Sequence, residues 1–307
     1  MPQTVVLPRT DTWPALPYGE WKDTLATLHM WTQVVGKIRM TLSPPVNHWW
    51  HVPLYLCARG LTTRAVPHGV RGFELEFDFI DHRLLVRTCE GPVRTLELRP
   101  RTVADFYGEL MGVLDELGLS VRIRTLPQEV PDPIPFERDT THASYDPDAA
   151  NRCWRALAQA DRVFNEFRGR YLGKSSPVHF FWGSFDLALT RFSGRDAPEH
   201  PGAPGLPDTV TREAYSHEVS SAGFWPGNDA FPQAAFYAYF YPEPAGYGTA
   251  AVRPDAAFYG TDFGEWLLPY EAVRTAADPD AVLLEFLQTS YAAGADLAGW
   301  DRAALER

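Results

Sequence analysis

Apolar residues recur at the spacing of an amphipathic helix in four parts of the chain. The first helix is predicted over residues 20–41, and a second begins at Thr102, whose hydroxyl can cap it. Two further helices, beginning near residues 146 and 278, start with the same Asp-Pro-Asp sequence. That sequence favours a helix start because the carboxylate accepts backbone N–H groups and proline fits the first turn.

Strand patterns occupy much of the remaining sequence. Residues 73–79 alternate between apolar and acidic side chains, which predicts a strand with one buried face. Segments 83–91 and 95–100 complete an antiparallel meander, and residues 121–127 are predicted to form one more strand. Two aromatic runs, 48–59 and 178–192, are also predicted to be strands. Together these patterns predict an α+β fold, with antiparallel sheets packed against helices.

The two aromatic runs are related to each other. At a constant offset of 132 residues, segment 43–59 aligns with 175–191 without a gap. The identical pairs are Ser43/Ser175, Pro45/Pro177, Val46/Val178, Trp50/Trp182 and Arg59/Arg191. We therefore predict an internal duplication of a helix, strand meander and helix unit, with halves at residues 1–140 and 141–307. The halves are expected to pack as one compact unit, with a ligand site at their seam.

Composition and charge narrow the range of partners. The chain is 45% hydrophobic and contains 10 Trp, which is typical of a globular core. A formal net charge of -11 at pH 7 disfavours nucleic acid and anionic membranes, because both attract basic surfaces. No apolar run reaches the ~20 residues that span a bilayer, and no signal-peptide core precedes the first helix. Cys57, Cys89 and Cys153 form no paired motif, so a cytoplasmic location is expected.

Histidine, carboxylate and arginine side chains gather on and near the aromatic runs. An imidazole titrates near neutral pH, and a neighbouring carboxylate can fix its tautomer, so such a pair can transfer protons. Arginine can bind an anionic group through two parallel hydrogen bonds, and tryptophan can exclude water. The candidate catalytic residues are His179, His217, Glu218 and Asp186, and the candidate ligand-binding residues are Trp50, His51, Arg59, Trp182 and Arg191.

Each of these residues also has a structural interpretation, as a core group or a cation–π partner on an aromatic sheet. No metal site is predicted, because the chain contains no HxH or HExxH spacing. Two functional classes stay open. One is an enzyme or binding protein with a His, acid and Arg pocket for a small anionic or polar molecule. The other is a non-catalytic interaction protein in which the aromatic strands are only core. No cofactor or oligomeric state follows from the sequence.

Several long motifs resemble those of one family. They are LHMWTQVVGKIRM, NHWWHVPLY, FELEFDFIDH, SPVHFFWGSFDLALTRFSGR and EAYSHEVSSAGFWPG. Over nearly its whole length the chain resembles an uncharacterised bacterial family, a domain of unknown function. The resemblance implies a bacterial, soluble, stand-alone protein, and it brings no activity, cofactor or catalytic residue with it.

Overall fold

The chain forms two antiparallel sheets and seven α-helices within residues 12–203 and 205–307, the part that the structure, a computed structural model, describes. The predicted α+β fold is confirmed. The internal duplication stays a prediction, since the two sheets differ in strand order. No described helix combines the length and apolar character that crossing a membrane requires.

The first half is a long helix followed by a sheet and a second helix. Helix α1 (Tyr18–Leu42) contacts both α2 (Val103–Glu116) and strand β3 of the sheet. The sheet has the order β1-β2-β4-β5-β6, and β3 pairs with β4 at its side. Its strands are β1 (Tyr55–Cys57), β2 (Gly60–Thr62), β3 (Val66–His68), β4 (Arg71–Asp78), β5 (Arg83–Thr88) and β6 (Val93–Glu97).

The second half places its sheet between helices. Its strand order is β11-β12-β10-β9-β8-β7, and α6 packs on β9 and β10. The strands are β7 (His179–Phe181), β8 (Asp186–Asp196), β9 (His217–Trp225), β10 (Ala235–Tyr241), β11 (Phe258–Gly260) and β12 (Glu265–Pro269). The helices are α3 (Pro147–Gly169), α4 (Asp208–Ala214), α5 (Tyr270–Arg274), α6 (Pro279–Leu297) and α7 (Arg302–Leu305).

Side-chain caps explain where three of the helices begin. The Thr102 hydroxyl accepts a hydrogen bond from the Asp105 backbone N–H at the start of α2. The carboxylates of Asp146 and Asp278 accept backbone N–H groups at the starts of α3 and α6, where a proline follows each of them. All three starts were predicted, because a cap depends on a few neighbouring residues alone.

One hydrophobic core connects the two halves. Buried Trp31 of α1 and Phe77 of β4 belong to the same cluster as Phe180 of β7 and Phe236 of β10. The aromatic runs also meet directly, because Leu54 and Phe180 exchange two backbone hydrogen bonds of 2.9 Å. This pairing brings the segment around Trp50 against the second sheet.

Neither aromatic run is one continuous strand, and this part of the prediction is wrong. The first run begins with a short helical turn, in which His48 and Trp49 have left-handed φ angles of 59° and 60°. The second is a hairpin, since residues 182–185 turn the chain between β7 and β8 and Phe185 has a φ of 57°. Left-handed backbone is uncommon for residues other than glycine, and a run of aromatic residues gives no sign of it.

Residues 121–127 also form no strand, contrary to the prediction. Backbone groups of this loop bond to side chains of α1 instead of to a neighbouring strand. Lys37 Nζ donates to the Leu126 carbonyl at 2.9 Å. The Gln33 amide donates to the Gln128 carbonyl at 2.8 Å and accepts from the Gln128 N–H at 2.9 Å. The loop is thereby held against α1, beside the second sheet.

Candidate functional site

A cavity of about 420 Å³ lies between α1 and the second sheet. Its walls combine α1, the turn at residues 47–52 and the loop at 124–129 with strands β7 to β10 and helix α4. The wall residues therefore come from both predicted halves of the chain. Cavities of roughly 300–1,000 Å³ hold small organic molecules in proteins, so this one has the size of a ligand site.

The sheet contributes a floor of alternating residues. Every second residue of β8 from Asp186 to Phe192 faces the cavity, as the two-residue period of a strand requires. Ser221 of β9 lies beside this row, opposite Thr190 in the strand register, and Tyr239 of β10 comes next. The floor is therefore apolar near Phe192 and carries hydroxyl and carboxyl groups elsewhere.

Asp186 is the most enclosed carboxyl group of this floor, with an exposure of 7%. The hydroxyls of Ser184 and Tyr237 both donate hydrogen bonds to it. It forms no ion pair with any residue in the described ranges. Burial raises the pKa of Asp186, and the two hydroxyl donors offset this only in part. Asp186 is thus a buried acid that is held by neutral groups.

A glycine lets Tyr237 reach Asp186 across the intervening strand. Gly223 of β9 lies between Ala188 of β8 and Tyr237 of β10 in the strand register. A Cβ atom at Gly223 would lie 2.3 Å from the Tyr237 hydroxyl oxygen and 2.4 Å from the Leu187 carbonyl oxygen. The missing side chain therefore creates the path along which the Tyr237 ring extends.

Glu129 supplies a second carboxyl group from the loop opposite. The residue as a whole is exposed, but its carboxyl end is enclosed against Gly183, where a Cβ would lie 1.9 Å from Glu129 Oε1. Burial and the nearby Asp186 raise the pKa of Glu129 to about 7. The same two causes raise the pKa of half-buried Glu265 in β12 to about 7. Two carboxyls with raised pKa values, Asp186 and Glu129, therefore line this end of the cavity, and Glu265 is a third acid influenced by Asp186.

Tryptophan side chains close the wall toward α1. The Trp182 indole N–H donates to the Val52 carbonyl at 2.9 Å, and its ring packs on Gly36 of α1. A Cβ at Gly36 would lie 2.2 Å from that ring, so the close approach requires glycine. Trp50 and Phe181 extend the aromatic surface. Flat aromatic walls suit the carbon skeleton of a ligand or a cation over a ring face.

Lys37 places an ammonium group in the α1 wall. Only 1% of the residue is exposed, and its Nζ lies 5.8 Å from the Trp182 ring centroid. Burial, together with the like charge of Arg124, lowers the pKa of Lys37 to about 8. Arg124 lines the same cavity from the loop. Neither cation forms an ion pair with a residue that the structure describes.

His48 lies at the rim with its tautomer fixed. Its Nδ1–H donates to the Ala214 carbonyl at 3.2 Å, and its Nε2 accepts from Lys174 Nζ at 2.7 Å. Burial and the Lys174 charge lower the pKa of His48. The ring is therefore neutral at physiological pH, and both of its nitrogens already have protein partners.

The arrangement suits proton transfer more than metal chemistry. Carboxyl groups with a pKa near 7 can both give and take protons at the pH of a cell. Burial keeps the pKa values of Tyr237 and Tyr239 well above the ordinary value, so both phenols are hydrogen-bond donors. Within the described ranges, no group of three or more His, Cys, Asp or Glu residues is arranged to hold a metal ion.

Comparison with known proteins places the chain in a family. A model of the "Family of unknown function (DUF5996)" matches residues 13–307. The chain belongs to this family. The resemblance to a domain of unknown function is thus confirmed. No curated protein and no solved structure matches this DUF5996 chain.

The structure of this DUF5996 member brings three of the nine candidate residues together at the cavity. Trp50, Trp182 and Asp186 line it. The other six are placed elsewhere: His51, Arg59, His179, Arg191, His217 and Glu218. Their positions fall into two groups, the core and the outer surface.

Arg191 is enclosed in the core beside α3. Its guanidinium carbon lies 3.3 Å from the Phe167 ring centroid and 4.5 Å from that of Tyr291, and Nη2 donates to the Phe167 carbonyl. Burial lowers the pKa of Arg191 to about 10. The side chain points to the sheet face opposite the cavity because Thr190 and Phe192, its neighbours in β8, face the cavity.

Both core histidines are packed among aromatic rings. His179 is 1% exposed and contacts the rings of Trp50, Tyr55 and Phe181. Burial, reinforced by the charges of neighbouring arginines, lowers its pKa to about 3, so the ring is neutral at physiological pH. His51 packs on Trp49, and its Nδ1 accepts the Val46 backbone N–H at 3.2 Å.

The remaining three candidates lie at the surface, where each has an acidic or basic neighbour. Arg59 pairs with Asp78 and Asp81 of the first sheet, each at 2.8 Å. Glu218 pairs with Arg195 at 2.7 Å, and His217 lies 3.5 Å from Asp196. Adjacent strand residues point to opposite faces, so Val219 of β9 lines the cavity while Glu218 faces away from it.

Tyr237, Tyr239, Lys37 and Glu129 are among the cavity residues that were not candidates from the sequence. Tyr237 and Tyr239 carried a signal, since they alternate in an aromatic strand next to smaller residues. Lys37 carried a weaker one, as a cation in a helix that is buried on nearly every side. Glu129 carried none, because it lies in a loop whose position depends on long-range contacts with α1.

Proposed function

We propose that this protein binds a small polar molecule in the cavity and that Asp186 is the principal acceptor of the molecule's N–H or O–H groups. The observation that carries this proposal is a buried carboxyl without an ion pair in the described chain, facing a space of about 420 Å³. A buried carboxylate is costly unless hydrogen bonds or a cation compensate it. A ligand group that donates to Asp186 supplies that compensation.

The aromatic walls and the second carboxyl support the same proposal. Trp50 and Trp182 offer flat apolar surfaces, and Glu129 adds an acceptor on the opposite side. Glu129 can also exchange protons with a bound molecule, since a pKa of about 7 suits a general acid or base, and the raised pKa of Asp186 favours the same role. The acid–base role expected for His179 or His217 is therefore proposed here for Asp186 and Glu129.

The charges of the cavity and of the whole chain limit the kinds of partner that the protein can bind. A polar ligand with donor groups fits the acidic floor formed by Asp186, with Glu129 beside it. The net charge of -11 supports the absence of a nucleic-acid partner, and the unpaired cysteines support a cytoplasmic location. We propose on these grounds a cytoplasmic protein without a nucleic-acid partner, and a bacterial origin in line with the family resemblance.

A non-catalytic interaction protein is the second candidate, and the packing of the aromatic runs favours it. His179 and Arg191 are almost completely buried in aromatic surroundings, as core residues would be. That candidate gives no account of the open space in front of Asp186. Ligand binding therefore distinguishes the two functions.

The test is a thermal-shift screen of the wild type, Asp186→Asn and the control Asp196→Asn. Asp196 is the exposed carboxylate at the other end of β8. We expect members of a panel of small amines, amino acids, polyols and sugars to raise the Tm of the wild type and of Asp196→Asn, and to lose this effect in Asp186→Asn. A panel that leaves the wild type unchanged, or that stabilises Asp186→Asn equally, would contradict the proposal.

A further inference from the structure

Lys37 is a buried cation that the packing of the chain does not explain. Its Nζ carries three hydrogens, and one of them is donated to the Leu126 carbonyl at 2.9 Å. The residue is 1% exposed and lines the cavity, and no carboxylate of the described chain pairs with it. A buried ammonium normally has a partner for its charge, because removal from water is costly.

Holding the loop against α1 does not require a charge at this position. Gln33 lies one helical turn earlier and binds the same loop through two hydrogen bonds to Gln128. A neutral amide therefore performs the structural task. The positive charge of Lys37 therefore needs a different explanation, and a ligand in the cavity that Lys37 lines would provide one.

Arg124 strengthens the positive character of this wall. It lines the cavity from the loop, forms no ion pair within the described ranges, and acts as a like charge on Lys37. An anionic group bound between the two cations would relieve their repulsion. Lysine and arginine with free donors are the groups that proteins use to bind carboxylates and phosphates.

The two charged regions lie on different walls of one cavity. Lys37 belongs to α1, whereas Asp186 and its donors Ser184 and Tyr237 belong to the sheet side. Trp182 lies next to both, with its ring beside Lys37 Nζ and its chain position four residues before Asp186. The space between the walls is bordered by aromatic side chains.

We propose that the ligand is a small zwitterion of the amino-acid type, whose anionic group binds Lys37 and Arg124 while its cationic amine binds Asp186. This inference rests on the proposed function and names the substrate class of the same site. The aromatic walls contact the carbon skeleton between the two charges. A cavity of about 420 Å³ has room for an amino acid or a small dipeptide.

The experiment compares matched probes by calorimetry. Each set consists of a zwitterion, the amine without its carboxylate and the acid without its amine, for example phenylalanine, 2-phenylethylamine and 3-phenylpropionate. Sets based on leucine and lysine and the dipeptide Gly-Phe extend the range. The proteins are the wild type, Lys37→Met, Arg124→Gln and the control Lys22→Met, which removes an exposed lysine of the same helix.

We expect at least one zwitterion to bind the wild type and Lys22→Met at least about tenfold more tightly than its amine or its acid, consistent with a charge-assisted contact. Lys37→Met should remove this advantage and leave the affinity for the amine unchanged. Arg124→Gln, which alters an exposed side chain, should reduce the advantage in the same direction and gives an answer even if Lys37→Met does not fold.

The contrary outcomes separate this inference from the proposed function. Amines that bind as tightly as zwitterions, with no effect of Lys37→Met or Arg124→Gln, would overturn the zwitterion and leave the Asp186 site standing. Zwitterions that bind equally well to the wild type and to Asp186→Asn would overturn both the zwitterion and the role of Asp186. Binding by no member of any set would overturn the zwitterion alone, because the polyols and sugars of the thermal-shift screen test the Asp186 site separately.

Discussion

Asp78 in the first sheet and Asp186 in the second are both buried carboxyl groups at a strand end, yet their surroundings are opposite. Asp78 ends β4, where Arg59 donates to it at 2.8 Å, Arg83 lies 3.5 Å away, and two turn N–H groups donate at 3.0 Å. Asp186 begins β8, and among the side chains in the described ranges only the hydroxyls of Ser184 and Tyr237 donate to it. The first carboxylate is compensated by the fold itself, and the second is not.

These surroundings shift the pKa values of the two carboxyls in opposite directions. Burial alone would raise the pKa of Asp78, but hydrogen bonds from Arg59 and from the turn outweigh it and hold the pKa below the ordinary value. Burial raises the pKa of Asp186, because its hydroxyl donors do not outweigh it. A buried acid that the fold leaves without a cation marks a candidate site, whereas a paired one marks structure.

Replacing each aspartate by asparagine should give the largest difference between the two sites, measured as the change in the free energy of unfolding. Asp78→Asn should lower the free energy of unfolding by about 2 kcal/mol, because the turn and two arginines lose their charged acceptor. Asp186→Asn should change it by less than about 1 kcal/mol, since the amide retains an acceptor oxygen and removes a costly buried charge. Urea denaturation of both variants measures these values. An Asp186→Asn cost as large as that of Asp78→Asn would break the comparison.

The pH dependence of these two effects should also have opposite signs. Asp78 has a lowered pKa, so the unfolded chain binds more protons near the ordinary value of 3.8, and the stability that Asp78 contributes is lost as the pH falls. Asp186 has a raised pKa, so the folded chain binds more protons. Its destabilising effect is absent in acid and grows as the pH rises above 3.8 through the folded pKa.

Difference curves isolate these contributions from the other titrating groups. The Tm of each Asn variant minus that of the wild type is measured from acidic to neutral pH. The Tm of Asp78→Asn should lie below that of the wild type at neutral pH, and this difference should shrink toward low pH. The Tm of Asp186→Asn should rise relative to the wild type as the pH rises, and this gain should shrink toward low pH. Parallel curves for the two variants would show that the acids are equivalent.

Local patterns in the sequence account for the parts of the fold that were predicted. The starts of α2, α3 and α6 depend on Thr102, Asp146 and Asp278, each of which caps N–H groups within three residues. The strand predicted at residues 73–79 also follows from a local pattern, the alternation of apolar and acidic side chains, and β4 covers most of this segment. Such elements follow from neighbours along the chain.

The candidate site depended on contacts that the sequence does not encode locally. Asp186, Trp50 and Trp182 were predicted and do line the cavity, but Arg191 and His179 turn into the core, where aromatic residues from distant segments enclose them. The loop that carries Glu129 is positioned by Gln33, 95 residues away in sequence. A pattern of residue types can therefore suggest the chemistry of a site before it can assign each side chain to that site.

The most direct measurement of the central claim is the titration of the aspartate carboxyl carbons by NMR in the wild-type protein. Labelled aspartate gives one carboxyl signal per residue, and Asp78→Asn and Asp186→Asn identify the two signals of interest. We predict that Asp186 titrates above the ordinary value of 3.8 and Asp78 below it. An Asp186 signal that titrates at or below 3.8 would contradict the account, because the fold would then already compensate its charge.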